Sequence, residues 1–518
     1  RIRRPAWGRF LPKVLARALE GWEGPDKPSA VVARRLSWVS ALPPSSPARP
    51  EPSSPFSGGL LLSTLGSFAL IFLAAFEALA VVTIMPVVTR DLHGEGVYAL
   101  AMAAPLATGI VGMVGAGGWS DRSGPRGPFY TGVALFTAGL IVCGLAPDML
   151  TFTIGRILQG FGAGAINVTI YVLVARLYPA ALHARIFGLF AAAWVLPSLV
   201  GPYLAGVVAQ ATSWHWVFLG VVALVAIAVV LMVPSLARLG SGPAAAPPAD
   251  ATPAAAPATS RALAPDLLRA AVIAAAVLAL GTLGTQPGWG SVVLLGALAL
   301  VAYLLRPLLP AGAYRLSLGL PSAVILRAVI AAAYFGAEAY LPLIFNTHYR
   351  LDVSQSGLAL TAAAVAWALA SWVQGRFLQS AGDRALLTSA VLIVFASLAA
   401  VAGAIAASAP VPLVVALWGV GGFGMGLAYP RLSTMVIRLS PVRAQGFNSA
   451  ALNIADSTGS ALGLAALGTL QRGEEFGPLV LILGLAALLA GLGALVARRT
   501  GAAGDGPTAP GASAAQAA

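Results

Sequence analysis

Fourteen mostly apolar stretches, separated by short polar turns, run through this chain between residues 61 and 497. Crossing the hydrocarbon core of a bilayer as a helix takes roughly 20 such residues. The stretches fall at about 61–84, 97–118, 128–147, 150–175, 186–210, 215–236, 267–285, 289–309, 319–345, 357–379, 385–407, 411–437, 446–470 and 477–497. Composition agrees. Only 9% of the residues are charged and 58% are hydrophobic, whereas a soluble protein carries roughly 25% charged residues. The 58 glycines suit helices that pack closely in lipid. The fold expected is an all-α integral membrane protein of about fourteen spans.

The net charge is +13, which in a soluble domain points to nucleic acid. Here the arginines are distributed by topology. Alternate loops carry Arg122, Arg126, Arg176, Arg185, Arg238, Arg261, Arg306, Arg315, Arg376, Arg384, Arg438, Arg443, Arg498 and Arg499. The opposite loops carry only Arg90, Arg350 and Arg472, with Asp91, Glu95, Asp148, Asp352, Glu474 and Glu475. The Arg-rich side is expected in the cytoplasm, with both termini inside and the protein multi-pass in the cell membrane. An even number of spans follows from that arrangement. No nucleic-acid partner is expected.

Several chemistries find no support. Cys143 is the single cysteine, and the four histidines make no H-E-x-x-H spacing. There is no P-loop and no Ser/His/Asp grouping. The reading is therefore of a non-enzyme with no metal and no cofactor.

Composition divides the chain. Residues 1–58, rich in Arg, Pro and Ser, read as a disordered basic cytoplasmic tail, whose first part has an alternative reading as a surface helix on the membrane. Residues 59–237 form a first six-helix bundle and 311–498 a second. Between them lie an Ala/Pro-rich linker at 238–266 and two additional helices at 267–310, and 499–518 is a short polar tail.

The two bundles repeat each other. GGWSDRSGPR (117–126) and GRFLQSAGDR (375–384) share their glycine spacing and closing arginine, with Gln379 where the first has Asp121. GFGAGAINVTIYVLVARLYP (160–179) aligns without gaps on GFGMGLAYPRLSTMVIRLSP (422–441). Repeated halves with a site between them near the midplane are a common plan of secondary transporters.

Five segments resemble the major facilitator superfamily of transporters. In GGWSDRSGPR, the positions Gly117, Asp121, Arg122, Gly124 and Arg126 match its loop motif, with Pro125 where a basic residue is usual. RILQGFGAG is similar to its helix 4 motif through Arg156, Gln159 and Gly160. PSLVGPYLAG resembles the helix 5 motif of its exporters through Gly201, Pro202 and Gly206, although Pro197 and Ala205 replace glycines. SWHWVFLG resembles a helix 6 segment, with His215 in place of arginine. FEALAVVTIMP resembles the helix 1 segment of fourteen-span drug:proton antiporters, with Glu77 near the usual aspartate position. The resemblance implies proton-coupled efflux of amphipathic or cationic drug-like compounds by alternating access. The alternative is export of a specific metabolite or lipid-like substrate. Small-molecule substrate, protons and lipid are then the partners, and a monomer is expected.

Glu77, Glu338 and Asp456 are the informative carboxylates, because an ionisable group within the membrane is costly unless it has a partner or a cavity. Each has two readings: a proton-coupling group in the substrate cavity, or a structural acid that is hydrogen-bonded to neighbouring helices or lies at the lipid interface. Glu77 and Glu338 fall at similar depths in the first helices of the two halves. Arg156 lies at the depth of Glu77, and the family resemblance implies that it pairs with a carboxylate or water. Arg327 and Arg431 are expected to reach back toward the cytoplasmic surface. Asp121, Arg122 and Arg126, with Gly117 and Gly124 shaping the turn, read as a conformational latch or as simple topology signals. Gly201, Pro202 and Gly206 read as a bend and packing motif.

Overall fold

The apolar runs form helices where the sequence places them. The molecule, seen in a computed structural model, is described at residues 54–56, 60–238, 263–284, 286, 289–441, 444–471 and 475–501, all within one unit, Ser53–Ala518. Most of the expected tails and linker, with Arg261, Arg443, Arg472 and Glu474, lie outside these residues.

The first half comprises α1 (Leu61–Asp91), α2 (Tyr98–Ser123), α3 (Arg126–Gly144), α4 (Met149–Leu177), α5 (Ala180–Ala211) and α6 (His215–Arg238). The additional pair is α7 (Leu263–Leu283) and α8 (Gly290–Leu305). The second half comprises α9 (Leu320–Glu338), α10 (Leu341–Thr347), α11 (Val353–Phe377), α12 (Asp383–Ala406), α13 (Val411–Leu439), α14 (Gln445–Gly468) and α15 (Phe476–Ala497). No strand occurs among the described residues.

Among the described residues, thirteen spans are apolar and long enough to cross a membrane, with α9 and α10 together forming one of 28 residues. The fourteenth crossing is α14, whose 24 residues are long enough for the ~30 Å core. It falls short in apolarity because it carries Asn448, Asn453 and Asp456. Several boundaries differ from the sequence reading by four to seven residues: α2 ends at Ser123, α5 starts at Ala180 and α11 at Val353, and two more shift likewise. Helix α1 runs through Pro86 to Asp91, since a membrane helix tolerates a proline that would end a soluble one. Helix α7 starts at Leu263, inside the segment read as linker.

Caps fix some helix starts. Asp148 accepts from the Thr151 N–H at 2.8 Å and from its hydroxyl at 3.0 Å. That N–H, then the hydroxyl, holds the exposed Asp148 carboxyl below its ordinary value. Asp352 and Gln355 form a capping box on α11.

The repeat reappears in three dimensions. In the first half, α4 packs on α2 and α3; in the second, α13 packs on α11 and α12. A side chain at Gly160 or Gly164 would run into Pro105, Thr108 and Gly109 of α2, and one at Gly162 into Phe136 of α3. At the matching positions, Gly422 and Gly426 meet Ala363 and Trp367 of α11, while Gly424 meets Ala390 and Val394 of α12. One glycine triplet thus lets the fourth helix of each half approach its two neighbours closely.

The halves meet through α5 with α11 and through α2 with α14. Named cross-half contacts, such as Gly206 with Ser354 and Ala99 with Gly468, lie at the Arg-poor end. Helix α7 packs on both α2 and α14, and α8 packs on α7. The outer face of α8 is open at Val292, Leu295 and Tyr303, which suits lipid.

Candidate functional site

Three ion pairs are wholly or partly buried inside the bundles, one in the first half and two in the second. In the first, the Arg156 guanidinium on α4 binds Glu77 on α1, both almost wholly buried. Arg156 Nη1 also donates to Gln159 Oε1 at 2.8 Å, and its Nε reaches the Ala101 carbonyl on α2 at 3.4 Å. The Cys143 thiol contacts Gln159 Oε1 at 3.7 Å, and Gln159 Nε2 makes no hydrogen bond within normal geometry among the described residues. Glu77 is the carboxylate that Arg156 meets.

In the second pair, Arg327 Nε on α9 donates to Asp456 Oδ1 on α14 at 2.8 Å. The Tyr429 hydroxyl on α13 donates to the same oxygen at 2.8 Å. The guanidinium carbon lies 3.4 Å from the centroid of the Tyr429 ring, and Arg327 Nη1 reaches the Tyr429 carbonyl at 3.3 Å. Arg327 therefore does not reach back to the surface: a carboxylate and an aromatic face inside the bundle hold it. Arg431 differs too. Its Nε donates to Asp383 Oδ1 at 2.6 Å, its Nη1 reaches the Gln379 carbonyl at 3.3 Å, and its Nη2 bonds the Ala381 carbonyl. Asp383 also binds Arg438. These bonds pin the α11–α12 turn to α13.

Glu338, the last residue of α9, makes no hydrogen bond or ion pair among the described residues and is partly exposed. Glu77 and Glu338 are not brought together; each stays within its own half.

Asp121, Arg122 and Arg126 are exposed at the Arg-rich end and make no ion pair with any described residue. Gly124 ends α2 with φ 83°, a conformation that favours glycine, so a shaped turn is present. Gly117 sits near Val168 of α4. On α5, Gly201 lies against Phe76, Pro202 presents its carbonyl to Gly357 of α11, and Gly206 lies on the Ser354 main chain. The exporter-like motif therefore forms the α5–α11 contact between halves. The Asp383 cluster escaped the sequence reading because Asp383 stands where the first-half motif has Pro125. The only signal was an acid one residue before the matching arginine.

Two pseudo-symmetric helical bundles, each with a buried charge pair inside it, define a membrane transporter rather than an enzyme. Residues 67–396 match the model of the Major Facilitator Superfamily, and the chain belongs to that family. It is 23% identical over 418 residues to "Multidrug resistance protein 3" of Bacillus subtilis, covering 79% of this chain and 78% of that one. It is 26% identical over 420 residues to a "Probable multidrug-efflux transporter" of Mycobacterium tuberculosis, covering 78% and 86%. Among solved structures, it resembles a peptide transporter in complex with alafosfalin, with a TM-score of 0.63 at 15% identity, covering 87% and 97%. A D-xylose–proton symporter gives 0.56 at 16% identity, covering 83% and 96%. These structures support the fold alone.

Proposed function

We propose that this protein exports amphipathic or cationic small molecules in exchange for protons, by alternating access, as a monomer in the cell membrane with both termini in the cytoplasm. The observation that carries the reading is the buried Glu77–Arg156 pair. A buried ion pair is costly to maintain and costly to break by halves. A proton arriving on Glu77 cancels the attraction and leaves Arg156 to Gln159 and the Ala101 carbonyl. Protonation thereby loosens α1 from α4, which is what coupling a gradient to helix motion requires. Asp456 and Glu338 serve the second half, as charge partner and substrate contact. The names of the two bacterial relatives support a drug-like substrate. The energy source is the proton gradient, with no cofactor.

Packing at the Arg-poor end and exposure of Asp121, Arg122 and Arg126 fit a state closed to the outside. In the opposite state, these three residues would latch the cytoplasmic ends together. The test is efflux of a fluorescent cationic dye from cells expressing the protein, with and without a collapsed proton gradient, alongside Glu77→Gln at matched expression. Gradient-dependent efflux lost in the variant is expected. Efflux indifferent to both would overturn the coupling, and no dye movement would point to a narrow metabolite or lipid-like substrate.

A further inference from the structure

Glu338 lacks the cation that Glu77 has. The gap-free match of 160–179 to 422–441, continued back along α4 and α13, puts Trp418 at the place of Arg156. Trp418 is fully buried and stacks on Tyr334, centroids 4.5 Å apart and planes at 12°. Where the first half supplies a guanidinium, the second supplies rings.

Glu338 shares the side of α9 that turns toward α11 and α13. Ala328, Ala332 and Gly336 take up the side facing α14, against Gly459 and Gly463, while Val329 and Ile330 lie near Gly493 of α15. Phe335, one turn before Glu338, stacks on Trp367 at 6.3 Å and meets Tyr429 edge-on at 6.1 Å. Trp367 closes the wall against Tyr429 at 4.9 Å. Glu338 is within electrostatic reach of Tyr334 and Tyr429. Phe335, Trp367 and Glu338 are each partly exposed.

The protein itself shows what these rings accept. Arg327, a delocalised organic cation, already lies over one face of Tyr429. Arg327 and Asp456 compensate each other, so Glu338 is the carboxylate of this wall left without a counter-charge. A small inorganic cation needs a shell of oxygen ligands, which ring faces do not provide. A weakly hydrated organic cation needs ring faces and one carboxylate.

We propose that Phe335, Trp367 and Tyr429, with Glu338, form a subsite for an organic cation whose charge is borne by an apolar body. The subsite rests on the transport reading above and gives its substrate class a location in the second half.

The test is equilibrium dialysis of tetraphenylphosphonium against the purified full chain in detergent. Glu338→Gln and Trp367→Ala are each expected to weaken binding about tenfold or more. Trp367→Phe is expected to stay within about threefold of wild type, since a ring face remains. Trp289→Ala, at the exposed start of α8, controls for loss of a tryptophan. Should Trp367→Ala fail to fold, Phe335→Leu removes a ring face at nearly constant volume and is expected to weaken binding likewise. Binding indifferent to Glu338→Gln and to the ring substitutions overturns the subsite while leaving export standing. So does a wild type that moves neutral dyes with the gradient yet binds no tetraphenylphosphonium. Failure to move any dye removes the drug-export reading on which the subsite rests.

Discussion

The hydroxyl of Tyr98 on α2 donates to the main-chain carbonyl of Ala339, 2.6 Å away, at the break between α9 and α10. The break has a local cause. Pro342 has no N–H, so the Glu338 carbonyl loses its helical donor. The chain tightens there, with Tyr340 N–H bonding to the Ala337 carbonyl at 3.1 Å. Tyr340 then packs on Tyr98, centroids 5.8 Å apart, and its hydroxyl reaches the Leu464 carbonyl on α14 at 3.3 Å. Closure of the Arg-poor end is thus fastened one residue away from Glu338.

Removing that fastening biases the molecule toward the conformation open at this end. An interhelical hydrogen bond in a membrane is worth about 0.6 to 1.7 kcal/mol, a roughly 3- to 20-fold change in conformer ratio. Tyr98→Phe keeps the ring contact and loses the bond. Spin labels at Leu145→Cys and Ala407→Cys, on exposed turns of opposite halves, in a chain with Cys143→Ala, are expected to show a larger population of long distances. An unchanged distance distribution would mean that Tyr98 only fills space.

The Glu77–Arg156 pair predicts a pattern across three variants. Glu77→Gln leaves a buried guanidinium without its anion, and Arg156→Gln leaves a buried carboxylate. Breaking a buried pair by one partner costs roughly 3–5 kcal/mol. Each single variant is expected to melt well below wild type, and Glu77→Gln/Arg156→Gln together to recover much of the loss. Gradient-driven transport is expected to stay absent in all three. Transport by the double variant would exclude the pair from coupling.

What the sequence made legible follows from range. Span positions depend on local apolarity and needed no tertiary information. The repeat was legible because Gly160, Gly162 and Gly164 must stay small for α4 to pack, and the same demand fixes Gly422, Gly424 and Gly426. Side-chain partners were less legible. Arg327 was placed by its depth alone, and depth suggested the surface, whereas its partner Asp456 lies 129 residues away. The break at Ala339 was hidden inside one long apolar run, because Pro342 alone does not separate a kink from a continuous helix.

Within the α5 motif, the two glycines are expected to differ. Gly206 lies on the Ser354 main chain, where the nearest atom is 2.6 Å from an added Cβ. The main chain there cannot move aside without parting α5 from α11. At Gly201 the nearest neighbour is the Phe76 ring, at 3.3 Å, which can shift by rotation. Gly206→Ala is expected to push the halves apart and lower transport severely, while Gly201→Ala retains most of it. Efflux rates at matched expression check the order, and the reverse order would count against this contact as the closing surface.

The two turns at the Arg-rich end make opposite predictions for charge removal. Asp383 is buried and holds both Arg431 and Arg438, so Asp383→Asn strands the buried Arg431. Its carbonyl contacts to Gln379 and Ala381 persist, so the expected loss is near the lower end of the range for a broken buried pair, about 3 kcal/mol. Asp121 is exposed and makes no ion pair among the described residues, and Asp121→Asn is expected to leave stability within about 0.5 kcal/mol of wild type. Its effect belongs to the other conformation, as slower transport. Because Cys143 is the single cysteine and is buried, a thiol-reactive fluorophore reports unfolding of both variants directly. A lowered melting transition for Asp383→Asn alone, with slowed efflux for Asp121→Asn alone, would separate an anchor in the second half from a latch in the first. Equal destabilisation of both would make Asp121 a structural residue like Asp383, and unaltered efflux in Asp121→Asn would leave it a marker of topology.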